Sequence, residues 1–440
     1  MAETRPMLVK LKKTFTSDLV KVSSLNAIST LIRMLTGFIS VKIVAKQLAN
    51  VGDMALLGQL NNFSALMLVF STGGIAAGVT KYVAQYADSP KKSMLFLATS
   101  FRITLTLAGI CGLVLMIGSS FFADLILKDA RFKYVFIIFG VTIVFYALNT
   151  LLISIMNGFK EFRKYVLANI CGTLIGLVLT IILSLTFDIY GALIAAVTYQ
   201  SVVFFVTFSI VRKASWFDIR KFFAPFSKST AIKFAHYSLM ALVSAVSVHI
   251  SQLLVRNYIT VGTGASAQEG LDNAGLWEGM NRISMMYLMV ITTSLSVYYL
   301  PKLAGLKTKF EIRNEIFNVY KIVLPFLVLV SAAIYVCRYY IIAILFDQKY
   351  NGMEDLFIFQ LTGDFFKIAS WILAYQLIAK AMSRTFIITE FAFSASFVLF
   401  SMLFVNMYGN IGATMGYALN YFIYFVLMII LFRKTLFSHA

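Results

Sequence analysis

The chain has 440 residues, 60% of them hydrophobic and 13% charged, with a mean hydropathy of +0.84. A soluble chain of this length would form two or three domains, but no polar stretch here is long enough to build one. The formal charge of +19 does not indicate nucleic acid, because the basic residues are scattered over short loops and offer no basic face; an acidic membrane surface or an anionic substrate remains.

A membrane-crossing helix needs about 20 mostly apolar residues. About twelve segments qualify: 24–48, 55–80, 93–118, 134–156, 165–187, 191–211, 234–259, 276–300, 319–339, 356–379, 386–407 and 412–432. Backbone groups in hydrocarbon must be satisfied within the segment, so the predicted fold is all-α: a polytopic membrane protein whose antiparallel helices are the whole architecture. No small-residue cleavage site follows an apolar core in residues 1–21, so no removable signal peptide is expected. Cys111, Cys171 and Cys337 all lie in apolar segments, without metal spacing or a disulfide framework; they read as small packing residues.

Charge then orients the bundle. Lys10, Lys12 and Lys13 precede the first span, and alternate loops carry Lys91 and Lys92, Lys160 and Lys164, Arg212 and Lys213, Lys302 and Lys307, Lys380 and Arg384, then Arg433 and Lys434. The intervening loops are nearly bare, except for Lys128, Arg131 and Lys133, Arg338 and Lys349. The positive-inside rule places both termini in the cytoplasm.

The longest connection runs from Lys213 to Lys233, where Trp216, Phe217, Ile219, Phe222, Phe223 and Phe226 alternate with Arg220, Lys221 and Lys228. It reads as an amphipathic helix on the cytoplasmic leaflet, with a weaker case at 7–21. The expected organisation is a six-helix bundle over 1–212, a linker over 213–232 and a second six-helix bundle over 233–440. An internal repeat supports two halves. Residues 191–213 align without gaps on 412–434, and Asn61-Asn62 aligns near Asn281-Arg282. Six spans per half give both halves one orientation, hence parallel repeats about an axis along the membrane normal, with the substrate site at their interface. Gly73, Gly74 and Gly78 suit close, sliding helices, and Pro325 predicts a kink.

Charges inside apolar runs are expensive and mark functional sites by default. Arg33 lies about ten residues into the first helix, roughly 15 Å deep; it either lines an aqueous cavity or forms a structural ion pair. Lys42, nine positions on, lies half a revolution away. Arg102 is similarly deep in the third helix. Asn61 and Asn62 reach either a sugar or a neighbouring helix. His249 and Arg256, seven apart, share one face; His249 reads as a packed histidine or a ligand, and Arg256 as a snorkelling or binding cation. Glu278 with Arg282, and Asp364 with Lys367, stand at pairing distance along their helices. They read either as internal salt bridges or as protonation sites coupling transport to a gradient. The chain shows no catalytic constellation, no cluster with metal spacing, no ATP-binding loop and no motif requiring a cofactor, so an enzyme is not expected.

The stretch from Gly78 to Tyr86 (Gly-Val-Thr-Lys-Tyr-Val-Ala-Gln-Tyr) resembles the Wzx-type flippases of polysaccharide biosynthesis. So do Ser296 to Leu303 (Ser-Val-Tyr-Tyr-Leu-Pro-Lys-Leu), Asp355 to Asp364 with Lys367, and Ile378 to Ala381. The likeness runs from Ser24 to the last helix and is nearest the branch serving enterobacterial common antigen and O-antigen assembly. It implies the multidrug/oligosaccharidyl-lipid/polysaccharide exporter fold: two six-helix lobes in a V around a central cavity open alternately to each side. It implies transport of an undecaprenyl-diphosphate-linked oligosaccharide from the cytoplasmic to the periplasmic leaflet of the bacterial inner membrane, in partnership with polysaccharide polymerase and chain-length regulator proteins. It also implies a cationic cavity, a role carried to Arg33 and Lys42. Lys81, Asp364 and Lys367 match motif positions; Lys81, near the cytoplasmic mouth, reads equally as an entrance or lipid-surface residue, and Arg282 matches more loosely. Together with Arg102, Asn61, Asn62, His249 and Arg256 these are the candidate substrate contacts; Asp364, Lys367 and Glu278 are the candidate coupling residues. A cation-coupled drug antiporter of the same fold would need unpaired cavity carboxylates. A membrane glycosyltransferase or polymerase would need a large outer loop with acid and base residues, and the loops here are short.

Overall fold

The structure is a computed structural model that describes residues 4–437 except 88, 215 and 381, with side chains from Asn26 onward apart from those of Pro90, His236 and Tyr237. The amphipathic reading of 7–21 therefore lies outside the described side chains. The chain runs as α1 (Thr4–Gln47), α2 (Gly52–Thr72), α3 (Ala76–Gln85), α4 (Pro90–Ile117), α5 (Ser119–Leu127), α6 (Lys133–Gly158) and α7 (Phe162–Val211). The short α8 (Ile219–Phe222) leads into α9 (Lys228–Gly262), α10 (Ala267–Ser294), α11 (Leu300–Gly305), α12 (Lys309–Val336) and α13 (Arg338–Leu345). Then follow α14 (Phe357–Ala379), α15 (Ser383–Tyr408), α16 (Asn410–Leu431) and α17 (Arg433–Leu436).

Among the described residues eleven helical stretches are long and apolar enough to cross a bilayer. The 50-residue α7 is broken at Phe187 and Asp188 (φ 50°, ψ −132°) and folds back as a hairpin, bringing the crossings to twelve. They form two six-helix bundles around a central cavity. Alternating hairpins place the loops at Lys91, Lys160, Lys307 and Lys380 at one end, the basic end, and the loops at Asn50, Asp129, Ala265 and Lys349 at the other, the far end.

Local chemistry explains where the helices depart from the apolar runs. The second span is cut by Gly73 (φ 62°) and Gly74 (φ 64°), which end α2 in left-handed conformations that cost glycine nothing. The pair breaks a helix, and Gly74 also lets α9 come close, since a Cβ there would lie 3.1 Å from the Ser238 carbonyl oxygen. The ninth span begins ten residues before 319, because Thr308 and Glu311 form a capping box and Glu315 pairs with Lys302 at 2.6 Å. It runs on through Pro325 as one helix. The π-helical turn Leu295–Tyr299 precedes Pro301, whose missing N–H disrupts the regular ladder.

The linker differs from expectation. In place of an amphipathic helix it has one turn, Ile219–Phe222, capped by Asp218. Its aromatic residues pack on the first lobe: Trp216 stacks on Phe159 at 4.7 Å and donates from Nε1 to Glu161 Oε1 at 3.0 Å. Those contacts outweigh a regular helix on the membrane surface, while Ile219, Phe223 and Phe226 stay exposed. Three of the basic residues at the far end are engaged. Asp129 accepts from Arg131 N at 2.8 Å and pairs with its guanidinium at 2.6 Å, which holds the Asp129 carboxyl below its usual range. Arg338 donates to the Tyr335 carbonyl at 2.9 Å, and Lys349 to the Leu48 carbonyl at 2.5 Å.

Candidate substrate cavity

Two connected chambers open at the basic end between the lobes. The inner one, 500 Å³, is lined by Arg33, Asn61, Asn169, Tyr199, Gln200 and Arg282. The outer one, 970 Å³, is lined by Asn26, Asn157, Lys160, Tyr165, Trp371 and Tyr375. Arg33 and Asn169 line both, so the guanidinium stands at the junction. Among the described residues no carboxylate lines either chamber, and three cations do: Arg33, Lys160 and Arg282. The field inside therefore favours anions, with forked donors suited to phosphate oxygens. A further cleft of 270 Å³ between α1 and α10 shares Asn26, Thr30, Thr293 and Val297 with the outer chamber and is walled by Leu31, Val290 and Tyr298. It is a mostly apolar side opening from the cavity toward the lipid-facing surface.

The polar wall comes from helix periodicity. Asn26, Ser29, Thr30, Arg33, Thr36, Gly37 and Ser40 recur at three- and four-residue steps along α1 and face the chambers. Tyr165, Asn169, Thr173 and Thr180 do the same on α7. Lys160 sits at the α6–α7 turn in a left-handed conformation (φ 58°). Asn157, Asn169, Lys160, Trp371 and Tyr375 were not anticipated; a search for polar stripes on apolar helices would have found the asparagines.

The expected residues separate. Arg33, Asn61 and Arg282 meet in the inner chamber. Lys42 does not: it is exposed on the face of α1 that carries Leu31 and Leu35, opposite Arg33, because nine residues turn a helix by half a revolution. Arg102 is also outside the chambers; it is exposed on α4 and donates to the Phe223 carbonyl of the linker at 3.4 Å. Lys81 is exposed on α3, its ammonium 5.5 Å from the Tyr82 ring. His249 donates from Nδ1 to Asn62 Oδ1 at 3.0 Å, so both are spent on a contact between α9 and α2. Arg256 does not snorkel. It is 2% exposed and ion-paired with Glu278, beneath the Trp277 ring. Glu278 also accepts from Arg282 Nε at 3.0 Å, the helical pairing expected.

Asp364 and Lys367 form no ion pair. The fully buried carboxylate accepts from Ser284 Oγ at 2.6 Å, Tyr287 OH at 2.7 Å and Tyr417 OH at 2.7 Å. These donors come from α10 and α16 and reach the carboxylate in place of the lysine. The Lys367 ammonium lies instead over Trp371, Tyr417 and Tyr421, 5.1, 5.7 and 5.4 Å from the ring centres, where cation–π attraction replaces the carboxylate.

The far end is closed. Gly52 N donates to Asp272 Oδ1 at 2.7 Å, and Lys349 bridges to the end of α1. The Gln59–Arg256 bond at 3.2 Å lies further in.

With this geometry established, similarity to known proteins identifies the group. The family described as polysaccharide biosynthesis protein matches residues 19–307. This chain belongs to that family. The chain is also similar to the Lipid III flippase of Escherichia coli (strain K12), 29% identical over 414 residues that cover 93% of this chain and 97% of the relative. That protein is a transporter by name, not an enzyme. The fold matches an inward-facing conformation of a multidrug resistance MATE family transporter of the MOP superfamily, with TM-score 0.77, 16% identity and coverage of 94% of this chain and all of that one. An outward-facing conformation of a multidrug resistance MATE family transporter of the MOP superfamily matches with TM-score 0.69 at 15% identity, covering 96% of both chains.

Proposed function

We propose that this protein is a flippase that carries a lipid-linked oligosaccharide from the cytoplasmic to the periplasmic leaflet of a bacterial inner membrane by alternating access. The observation that carries this reading is the sign of the cavity: Arg33, Lys160 and Arg282 with no carboxylate among the lining residues. A diphosphate cannot enter hydrocarbon with its charge uncompensated, and two forked guanidinium groups at one chamber supply that compensation. The amides of Asn26, Asn157 and Asn169 and the rings of Trp371 and Tyr375 suit sugars in the wider chamber, and the α1–α10 cleft suits an undecaprenyl tail left in the bilayer. The basic end is then cytoplasmic, with both termini there. The better match to an inward-facing transporter agrees with a cavity open at that end. Residues 1–212 and 233–440 are the two moving lobes, joined by 213–232. Asp364 is the coupling candidate retained, because its buried carboxylate ties α14 to three hydroxyls on α10 and α16, and a proton gained there would loosen those ties.

The drug-antiporter reading shares the fold but needs cavity carboxylates to draw cations, and the chamber walls have none. The test is reconstitution into vesicles with undecaprenyl-diphosphate oligosaccharide, scoring leaflet exchange with and without a proton gradient. Exchange that Arg33→Ala abolishes supports the reading; transport of cationic dyes without glycan exchange refutes it.

A further inference from the structure

Glu278 stands where the cavity meets the far-end seam. Its Oε1 accepts from Arg282 Nε at 3.0 Å, and Arg282 lines the inner chamber. Its Oε2 accepts from Arg256 Nη2, and Arg256 Nη1 donates to Gln59 Oε1 at 3.2 Å. Arg256, Glu278 and Arg282 lie on α9 and α10, while Gln59 lies on α2. The ion pairs thus stay within the second half of the chain, and the Gln59 bond crosses between the halves. Arg256 Nε has no protein partner among the described residues, so the guanidinium is not fully satisfied where it stands. Helix α2 rests directly on the carboxylate: a Cβ at Gly58 would overlap the Glu278 carboxyl group.

We propose that Glu278 is the positioning residue that couples arrival of a diphosphate in the cavity to release of the far-end seam. This rests on the diphosphate reading of the cavity. A diphosphate that engages Arg282 draws its guanidinium off Oε1. That oxygen is buried and cannot be left without a donor cheaply. The unspent donor is Nε of Arg256, on the same edge of the guanidinium as Nη2; turning that edge onto the carboxylate carries Nη1 off the neutral amide of Gln59. Arg256 then holds Glu278 with two parallel bonds, and Gln59 is released. The first-lobe helix α2 loses its tie to α9, and the seam opens against what remains: the His249–Asn62, Gly52–Asp272 and Lys349–Leu48 contacts. The device makes far-side opening depend on a filled cavity.

The experiment places spin labels at Ala49 and Ala267, exposed residues on either side of the seam, in a chain with Cys111, Cys171 and Cys337 replaced. Distances are read by double electron–electron resonance in lipid nanodiscs, with inorganic pyrophosphate and then undecaprenyl diphosphate as probes. Each probe is expected to raise the long-distance population of the parent at least threefold. Glu278→Gln is expected to show that population without a probe and no further response, and Glu278→Asp to regain part of the response. Because Glu278→Gln strands a buried Arg256, Gln59→Leu provides the second arm. It leaves every charge in place and is expected to open the seam and, by the same linkage, to bind pyrophosphate more tightly than the parent. A parent that binds a probe by calorimetry without widening overturns the coupling alone, as does a Glu278→Gln or Gln59→Leu protein that responds like the parent. A parent that binds neither probe overturns the diphosphate reading and the coupling with it.

Discussion

In the first half of the chain, α7 reverses at Asp188 (φ 50°, ψ −132°), and Gly191 lies so close to the Leu183 carbonyl that a Cβ would overlap it. In the second half, the chain reverses at Gly409 (φ 63°, ψ −143°), and Gly412 lies equally close to the Phe404 carbonyl. The short helices α5 and α13, each followed by a 3-10 turn, also stand at matching places. The halves share a chain path down to individual turns. Their charges are arranged quite differently. The charged side chains counted as buried among the described residues are Arg256, Glu278, Glu315 and Asp364, all in the second half. The first half instead exposes Arg33 to the chambers. Turn stereochemistry and close backbone approaches therefore set the architecture, and the side chains added to it divide the labour. Two of the three chamber cations, Arg33 and Lys160, come from the first half; the second half adds Arg282 and holds its buried charges in internal contacts.

Removing the exposed charge tests that division most severely. Arg33→Ala should leave protein level and melting temperature near the parent's, since no ion pair among the described residues holds the side chain. Glycan export should fall about 100-fold, because a charge-assisted bond contributes roughly 1.5–3 kcal/mol. Arg33→Lys should retain part of the activity, a point charge replacing the fork. Export assays on matched membrane preparations decide it; parental export by Arg33→Ala would erase the contrast between the halves.

Asp364→Ala tests the other half. Three hydroxyls lose their acceptor, at about 1–3 kcal/mol for each group left unsatisfied, less whatever solvent recovers. Thermal unfolding in detergent should show a clear fall in melting temperature. Asp364→Asn keeps an acceptor oxygen and should fall less. If the residue couples transport, the asparagine variant should exchange leaflets without responding to a proton gradient.

Much of this was legible in the amino-acid order because hydropathy is a local property. The spans, the hairpin repeat at 191–213 and 412–434, and the isolation of Arg33 could all be read directly. The Glu278–Arg282 contact was legible too, since helical spacing alone brings the pair together. What escaped was tertiary. Arg256 finds Glu278 on another helix. Asp364 and Lys367 have the right spacing for a pair, yet hydroxyls from α10 and α16 and rings from α14 and α16 satisfy them separately. Arg102 faces the linker because the linker's aromatic groups fold back on the first lobe, which no periodicity encodes.

The two reversals allow a direct comparison of backbone strain. A non-glycine residue at positive φ costs about 1–2 kcal/mol, so Asp188→Gly should raise the melting temperature, and Gly409→Ala should lower it by a similar free energy. Making both changes should leave stability close to the parent's, because the sites are independent. Equal stability of all four proteins would show that the positive φ costs nothing at either turn, and single changes of unequal size would show that the two turns are not equivalent.

The smallest effect belongs to Lys42. Its phase on α1, half a turn from Arg33, sets it among Leu31 and Leu35 rather than on the chamber wall with Thr36, Gly37 and Ser40. It lies five residues before the end of α1, close enough for its ammonium to reach the far-end headgroups along its own stem. Lys42→Gln should therefore change export by less than about twofold, the scale of a solvated surface charge, while Arg33→Ala in the same assay removes it. A loss at Lys42 matching that at Arg33 would mean that α1 turns its opposite face toward the substrate during the cycle, and that the first half offers charge from two sides of one helix.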